Sequence, residues 1–281
     1  MTRKRSRVFG LLLSAALLLA AAHRVDATAI ANSEINLFNL EIIPSAGTIQ
    51  FLDLWTAEVF ALARNSLGEL DAESNSAVGG TVSADAVVTF AEGHSSASAP
   101  SLTANASSSV NIPGGTVAAS SVGLGTLVNS FLIIGVTGLV DVAFSVDISV
   151  SLAVLTDAFG LLAETETIFS LEVDGNPTLF RHDLLSVGPN SASTLAFSEN
   201  LFGILSLPSN TEISIVVPLD SESVGINVVP EPSTLALLVS GLTVLGGFAR
   251  TRAQRRKRAT PPDGIMNPGA CPGIRIGAQN E

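Results

Sequence analysis

Carboxylates are the side chains with the most chemistry to offer in this sequence. Asp141 with Asp147, Glu164 with Glu166, and Glu172 with Asp174 are pairs at even spacing. On a strand, residues two apart share a face at about 7 Å. Two carboxylates converging in a cleft are what glycoside hydrolysis needs. The same hard oxygens suit calcium, although the twelve-residue helix-loop pattern is missing around them. Acids at even spacing also form the wet face of a half-buried strand, and that is the reading adopted. No catalytic residue, metal ligand or cofactor is assigned.

Other chemistries lack their parts. His94, in Glu92-Gly93-His94-Ser95-Ser96, is expected in a loop, and His182, in Arg181-His182-Asp183, on a strand. No Gly-x-Ser-x-Gly elbow accompanies them. No His-Glu-x-x-His, Cys-x-x-Cys or phosphate-cradling glycine loop occurs either. Zinc needs three or four nitrogen or sulfur ligands, which residues 28–228 do not readily supply. The single cysteine, Cys271, lies near the end of the chain, so these residues contain no disulfide and no thiol nucleophile. With no tyrosine and one tryptophan, Trp55 alone could stack against a sugar ring.

The elements that would position these groups read as strands. Over 142–154, Val142, Phe144, Val146, Ile148, Val150, Leu152 and Val154 share one face. Asp141, Ser145, Asp147, Ser149 and Ser151 share the other, in a strand long enough to be bent or split. Thr165, Thr167, Phe169, Leu171 and Val173 repeat the alternation. Asp174-Gly175-Asn176 then signals a hairpin, with Pro177 at its edge and 179–187 returning. Strands over 195–207 and 213–219 follow, separated by Pro208-Ser209-Asn210. Earlier, 35–43 forms a strand closed by Pro44. The stretch 49–64 mixes helical and alternating spacing and is read as strand. The alternating small residues over 84–90 and 102–112 predict exposed, weakly specified strands, and the apolar 131–136 a central one. Many short strands with regular turns predict an all-β, antiparallel β-sandwich of jelly-roll style over 28–228.

Charge narrows the partners. Residues 28–228 hold twenty-one acidic residues against two arginines, Arg64 and Arg181, a formal charge of −19. Such a surface repels nucleic acid and anionic headgroups.

Both ends read as export signals. Arg3, Lys4, Arg5 and Arg7 precede an apolar run over 8–22 and small residues at Ala20-Ala21-Ala22 and Val25-Asp26-Ala27. That is the order of a secretory signal peptide, assigned to residues 1–27. Near the other end, Pro230-Glu231-Pro232-Ser233 must be extended, because each proline removes a donor and restricts its predecessor. An uncharged run over 235–249 follows, about 22 Å long as a helix, which spans a bilayer only with help from its flanks. Arg250, Arg252, Arg255, Arg256, Lys257 and Arg258 then mark a cytoplasmic side.

This three-part order over 229–258 resembles the PEP-CTERM sorting signal of Gram-negative bacteria. The resemblance implies recognition by an exosortase, a membrane enzyme with a thiol nucleophile, and passage to the cell surface alongside exopolysaccharide. Residues 259–281 depart from the pattern, which usually stops at the basic cluster. Rich in Pro and Gly, they read as a disordered tail. The expected function is that of an exported, non-enzymatic surface or matrix protein. It would use an export translocase, cross the inner membrane in transit and meet exopolysaccharide outside. Two alternatives stand beside it: a secreted carbohydrate-binding or glycan-degrading module, and a periplasmic protein tethered by an uncut C-terminal helix.

Overall fold

Strict alternation of apolar and polar residues, with no long 3.6-residue stripe, leaves strands as the only way to bury one face. The computed structural model describes residues 28–113, 117–158 and 160–227. The described residues form thirteen strands: β1 (Ala29–Pro44), β2 (Thr48–Phe51), β3 (Thr56–Asn65), β4 (Leu70–Val78), β5 (Thr81–Val88), β6 (Ala91–Ser98), β7 (Thr103–Ile112), β8 (Val117–Ile134), β9 (Leu139–Thr156), β10 (Gly160–Val173), β11 (Asn176–Val187), β12 (Ser191–Pro208) and β13 (Ile213–Asn227). They make two antiparallel sheets. The first has the order β12-β9-β1-β7-β6-β5, and the second β11-β10-β13-β8-β3-β4, with β2 on the end of β8. The sheets lie face to face around one buried cluster. In each, a strand from one end of the described residues occupies the middle. β1 lies between β9 and β7, and β13 between β10 and β8.

The predicted alternations carry through. Val142 to Val154 on the even positions of β9 are all buried, and so are Thr165, Thr167, Phe169, Leu171 and Val173 on β10. β9 is one continuous strand and is not split. The irregularity sits on its neighbour β1, where the register shifts between Phe38 and Glu41 and Asn39 takes φ 56°. The β10–β11 hairpin turns through Asp174 (φ 50°) and Gly175 (φ 73°), the two positive φ values of a type I′ turn. Pro177 falls on β11, an edge strand, where a missing donor is tolerated. The stretch 49–64 is strand, but in two pieces. β2 and β3 both pair with β8, and the chain between them bends opposite Asn129, whose amide reaches the Asp53 carbonyl at 3.4 Å.

The small-residue strands correct the sequence reading. Over 84–90 and 102–112 they are exposed on one face only, and on the other Ala84, Ala86, Ala106, Val110 and Ile112 are fully buried. They face Ala57, Ala61, Ala63 and Ala119 of the opposite sheet, also buried. Side chains this short let the backbones nearly touch. A Cβ on Gly123 of β8 would collide with the His94 carbonyl and lie 2.6 Å from that of Ser107. A Cβ on Gly93 of β6 would meet the Val122 carbonyl and lie 2.8 Å from that of Leu62. This half of the molecule is thin. The half built on β9, β10 and β13 is filled by Phe144, Phe169, Ile148, Leu152, Leu171 and Ile213.

Between the two halves the core turns polar. Ser33, Ser108, Ser221, Ser223 and Thr165 are buried and bond to one another. Ser33 Oγ lies 2.6 Å from Ser221 Oγ and 2.7 Å from Ser108 Oγ, and Ser108 Oγ 2.9 Å from Ser223 Oγ. Thr165 Oγ1 closes the group at 3.0 Å from Ser223 Oγ. Each hydroxyl can donate one hydrogen and accept others, and the carbonyls of Ser33, Ser108 and Glu222 also accept from the cluster.

The two sides where the sheets end are treated differently. On one, side chains of β4, and of Glu69 just before it, reach over to edge strand β5 and to Thr89 just after it. Glu73 accepts from the Asp85 amide, Asp71 from that of Val87 and Glu69 from that of Thr89, each at 2.9 Å. Asn75 donates to the Ser83 carbonyl at 2.7 Å. The Thr89 and Asn65 side chains also bond Glu69 and hold its carboxyl below the usual range. On the other side, Arg181 of β11 points inward. It grips Asp183 with two bonds of 2.7 and 2.8 Å, approaches Glu199 of β12 at 3.4 Å and sits 4.6 Å above the Phe197 ring.

Candidate functional site

The sorting motif Pro230–Ser233, the basic residues 250–258, the expected membrane helix and the signal peptide all lie outside the described residues. No described helix is long and apolar enough to cross a membrane. What the structure places is the pair of outer faces on which the predicted acids and histidines stand.

The outer face of the second sheet carries a carboxylate group that sequence spacing alone did not assemble. The register sets Glu166 of β10 directly opposite Glu222 of β13, and Ile168 opposite Asp220. Glu166, Glu222 and Asp220 therefore stand together, and Glu164, the expected partner of Glu166, faces Val224 instead. β11 adds His182, whose Nε2 is 3.2 Å from Glu166 Oε1. Leu124 and Phe60 continue the row from Asp220 across β8 and β3. Burial and the neighbouring Glu222 charge push the Asp220 carboxyl above its ordinary range. Its Oδ1 is buried with no hydrogen-bond partner among the described residues.

Asp220 imposes a cost on the fold at neutral pH. A carboxyl whose folded pKa lies above its unfolded value binds its proton more tightly in the fold. The penalty is therefore present above the folded pKa and fades as pH falls through it. Asp220→Thr, which keeps a strand-forming side chain and removes the charge, should stabilise the protein by about 1 kcal/mol at pH 7. The gain should shrink on acidification, as read from urea melts at two pH values. Equal midpoints at pH 7 would show that Asp220 carries no penalty.

The outer face of the first sheet is chemically different. Asn32, Glu34 and Asn36 of β1, Asn105, Ser107 and Ser109 of β7, and Ser149 and Ser151 of β9 tile it with amides and hydroxyls. Asn105 donates to Asn36 at 2.7 Å, and Asn39 and Asn200 each donate to Asp147 at 2.8 Å. Those two amides, Asn39 before Asn200, hold the Asp147 carboxyl below its usual range. Shallow depressions mark this face, one of about 550 Å³ lined by Asn36, Ser96, Asn105 and Ser149. His94 stands here on β6, bonded to Asp85 of β5, so the expected loop placement is corrected. Its loop-like Glu-Gly-His-Ser-Ser sequence pairs on both sides as strand because Gly93 lets β6 press against the second sheet.

The remaining predicted pairs stay apart in role. Asp141 is exposed and bonds Ser206 at 2.5 Å, one strand over, while Asp147 belongs to the asparagine row. Asp174 accepts from the Ser214 amide at 2.9 Å and so tethers the hairpin turn to β13. Among the described residues, no three His, Cys, Asp or Glu side chains are arranged to hold a metal ion. Trp55 is 8% exposed, with its ring 5.6 Å from that of Phe51, and offers no open stacking face.

No protein-family profile, curated protein or solved structure matches the chain. The described residues define an all-β body of two antiparallel sheets.

Proposed function

We propose that this chain is an exported, non-enzymatic surface or extracellular-matrix protein, delivered by a C-terminal PEP-CTERM signal and processed by an exosortase. The order of parts at the C-terminus carries this reading: Pro230-Glu231-Pro232-Ser233, an uncharged run over 235–249, then Arg250, Arg252, Arg255, Arg256, Lys257 and Arg258. A cleavable N-terminal signal would hand the chain to the export translocase. The C-terminal helix would hold it in the inner membrane until the extended motif is cut. The body then reaches the cell surface or matrix as a jelly-roll-like sandwich.

Two features of the body support the reading. Burial of Trp55 removes the only Trp or Tyr that could stack on a sugar. The amide and hydroxyl face of the first sheet suits contact with hydrated exopolysaccharide through exchangeable hydrogen bonds, without a deep pocket. Replacing Pro230, Glu231 and Pro232 together by alanine should leave the protein in the inner membrane fraction, with its C-terminal segment intact by mass spectrometry. Unchanged release of the triple variant would refute sorting through this motif.

A further inference from the structure

We propose that β12 is a self-association edge, through which two copies of this chain pair about a two-fold axis to make one continuous sheet. β12 runs eighteen residues, Ser191–Pro208, and ends the first sheet, with no strand on its far side among the described residues.

Its outward groups follow from the register. Asp141 C=O on β9 accepts from Ser45, and just past the strand end Asp157 N–H donates to Thr28 while its C=O accepts from Asn190, so within the strand odd-numbered residues of β9 bond toward β1. Antiparallel alternation then turns the even-numbered residues of β9 toward β12. Their partners on β12 are odd-numbered. Ser209 N–H, bonded to Gly138 C=O, continues that parity past the strand end. The even-numbered residues of β12, from Ala192 to Ser206, thus point their N–H and C=O groups into the open.

An edge of this kind is ordinarily blunted by charge, proline or a bulge. β12 shows none of these before Pro208. Its even side chains are Ala192, Thr194, Ala196, Ser198, Asn200, Phe202, Ile204 and Ser206, all uncharged. Its one acid, Glu199, turns inward toward Arg181. β12 pairs with β9 over its whole length without a register shift. On a body of formal charge −19, this is the strip where a second copy meets least repulsion. Phe202 and Ile204, 59% and 58% exposed, widen it into an apolar margin.

The other edges explain why the partner is a second β12. The β5 amides of Asp85 and Val87 are already taken by Glu73 and Asp71. A head-to-tail contact from β12 to β5 is therefore blocked, and with it an open filament. β11 carries Pro177, the charged Arg181 and Asp183, and His182 between them. A two-fold contact uses β12 twice and closes.

The test uses the full chain, purified in a detergent that keeps the apolar run over 235–249 dispersed, and analytical ultracentrifugation. The native protein should sediment as a dimer. Ser198→Pro deletes an outward N–H but none of the bonds to β9. It should give a monomer with the native circular dichroism. A native monomer, polymers larger than a dimer, or a dimer indifferent to a folded Ser198→Pro would each overturn the proposal. Should that variant fail to fold, single cysteines at Thr194, Ala196, Ser198, Asn200 and Phe202, each in a Cys271→Ser background, decide the matter. Oxidation should link copies only at the one or two positions beside the axis. Linkage at none of them, or equally at all, would overturn the pairing.

Discussion

Gly123→Ala should lower the thermal midpoint by roughly 10 °C, a loss of about 3 kcal/mol. The added methyl has no cavity to enter. It would collide with the His94 carbonyl and lie 2.6 Å from the Ser107 carbonyl, both backbone atoms of the facing sheet. Backbone in a paired strand cannot rotate away as a long side chain can. The strain must instead move β6 and β7 off β8, or break the ladder that holds them. Gly188→Ala is the control, since nothing lies within 4 Å of a Cβ there and its φ is not left-handed. Differential scanning calorimetry of the two variants measures the contrast. Equal midpoints would mean that the sheets in the thin half are free to separate.

Arg181→Leu should cost about 2–3 kcal/mol, less than a fully buried ion pair would because the guanidinium is 36% exposed. Asp183, 8% exposed, would lose both of its short bonds and face Glu199 with no cation between them. The same bonds to Asp183 raise the guanidinium's own pKa. The loss belongs to the stranded acids, not to the missing arginine. Arg181→Leu combined with Asp183→Leu and Glu199→Leu should therefore recover most of the stability, since an apolar trio of similar volume also fills the gap. Urea melts of the single and triple variants decide this. If the triple variant is as weak as the single, packing on Phe197 accounts for the arginine.

The parts of the fold legible in the sequence are those set by local pattern. Phe144, Ile148 and Leu152 alternate with Ser145, Ser149 and Ser151, and only one register buries them. Asp174-Gly175 announces its turn because both residues tolerate positive φ. The small-residue strands were misread for a physical reason. Alanine, serine and glycine carry little hydrophobic signal, yet they bury well when the opposing backbone comes close. The distance between sheets belongs to no single strand and cannot be read from one. The Glu166–Glu222–Asp220 group stayed hidden for a related reason. Glu166 lies more than fifty residues from Asp220 and Glu222, and a one-residue change in the β10–β13 register would part it from both. Nothing local in the sequence makes Glu222 a better partner for Glu166 than Glu164. The strand segments over 117–130 and 220–227 also escaped notice, since their serines and glycines resemble loop composition.

The strands at the middle of the two sheets, β1 and β13, are the first and last of the described strands. β1 bonds to β9, more than a hundred residues downstream, and β13 bonds back to β8. Until residue 227 has been made, the second sheet is two unconnected fragments, each with a naked side. Pairings so distant in sequence close slowly, because loop entropy is spent before any contact returns it. The nascent chain is thus kept from maturing early by its own topology. Under the export route proposed above, which takes the chain through a membrane pore as an open thread, that delay would be an asset.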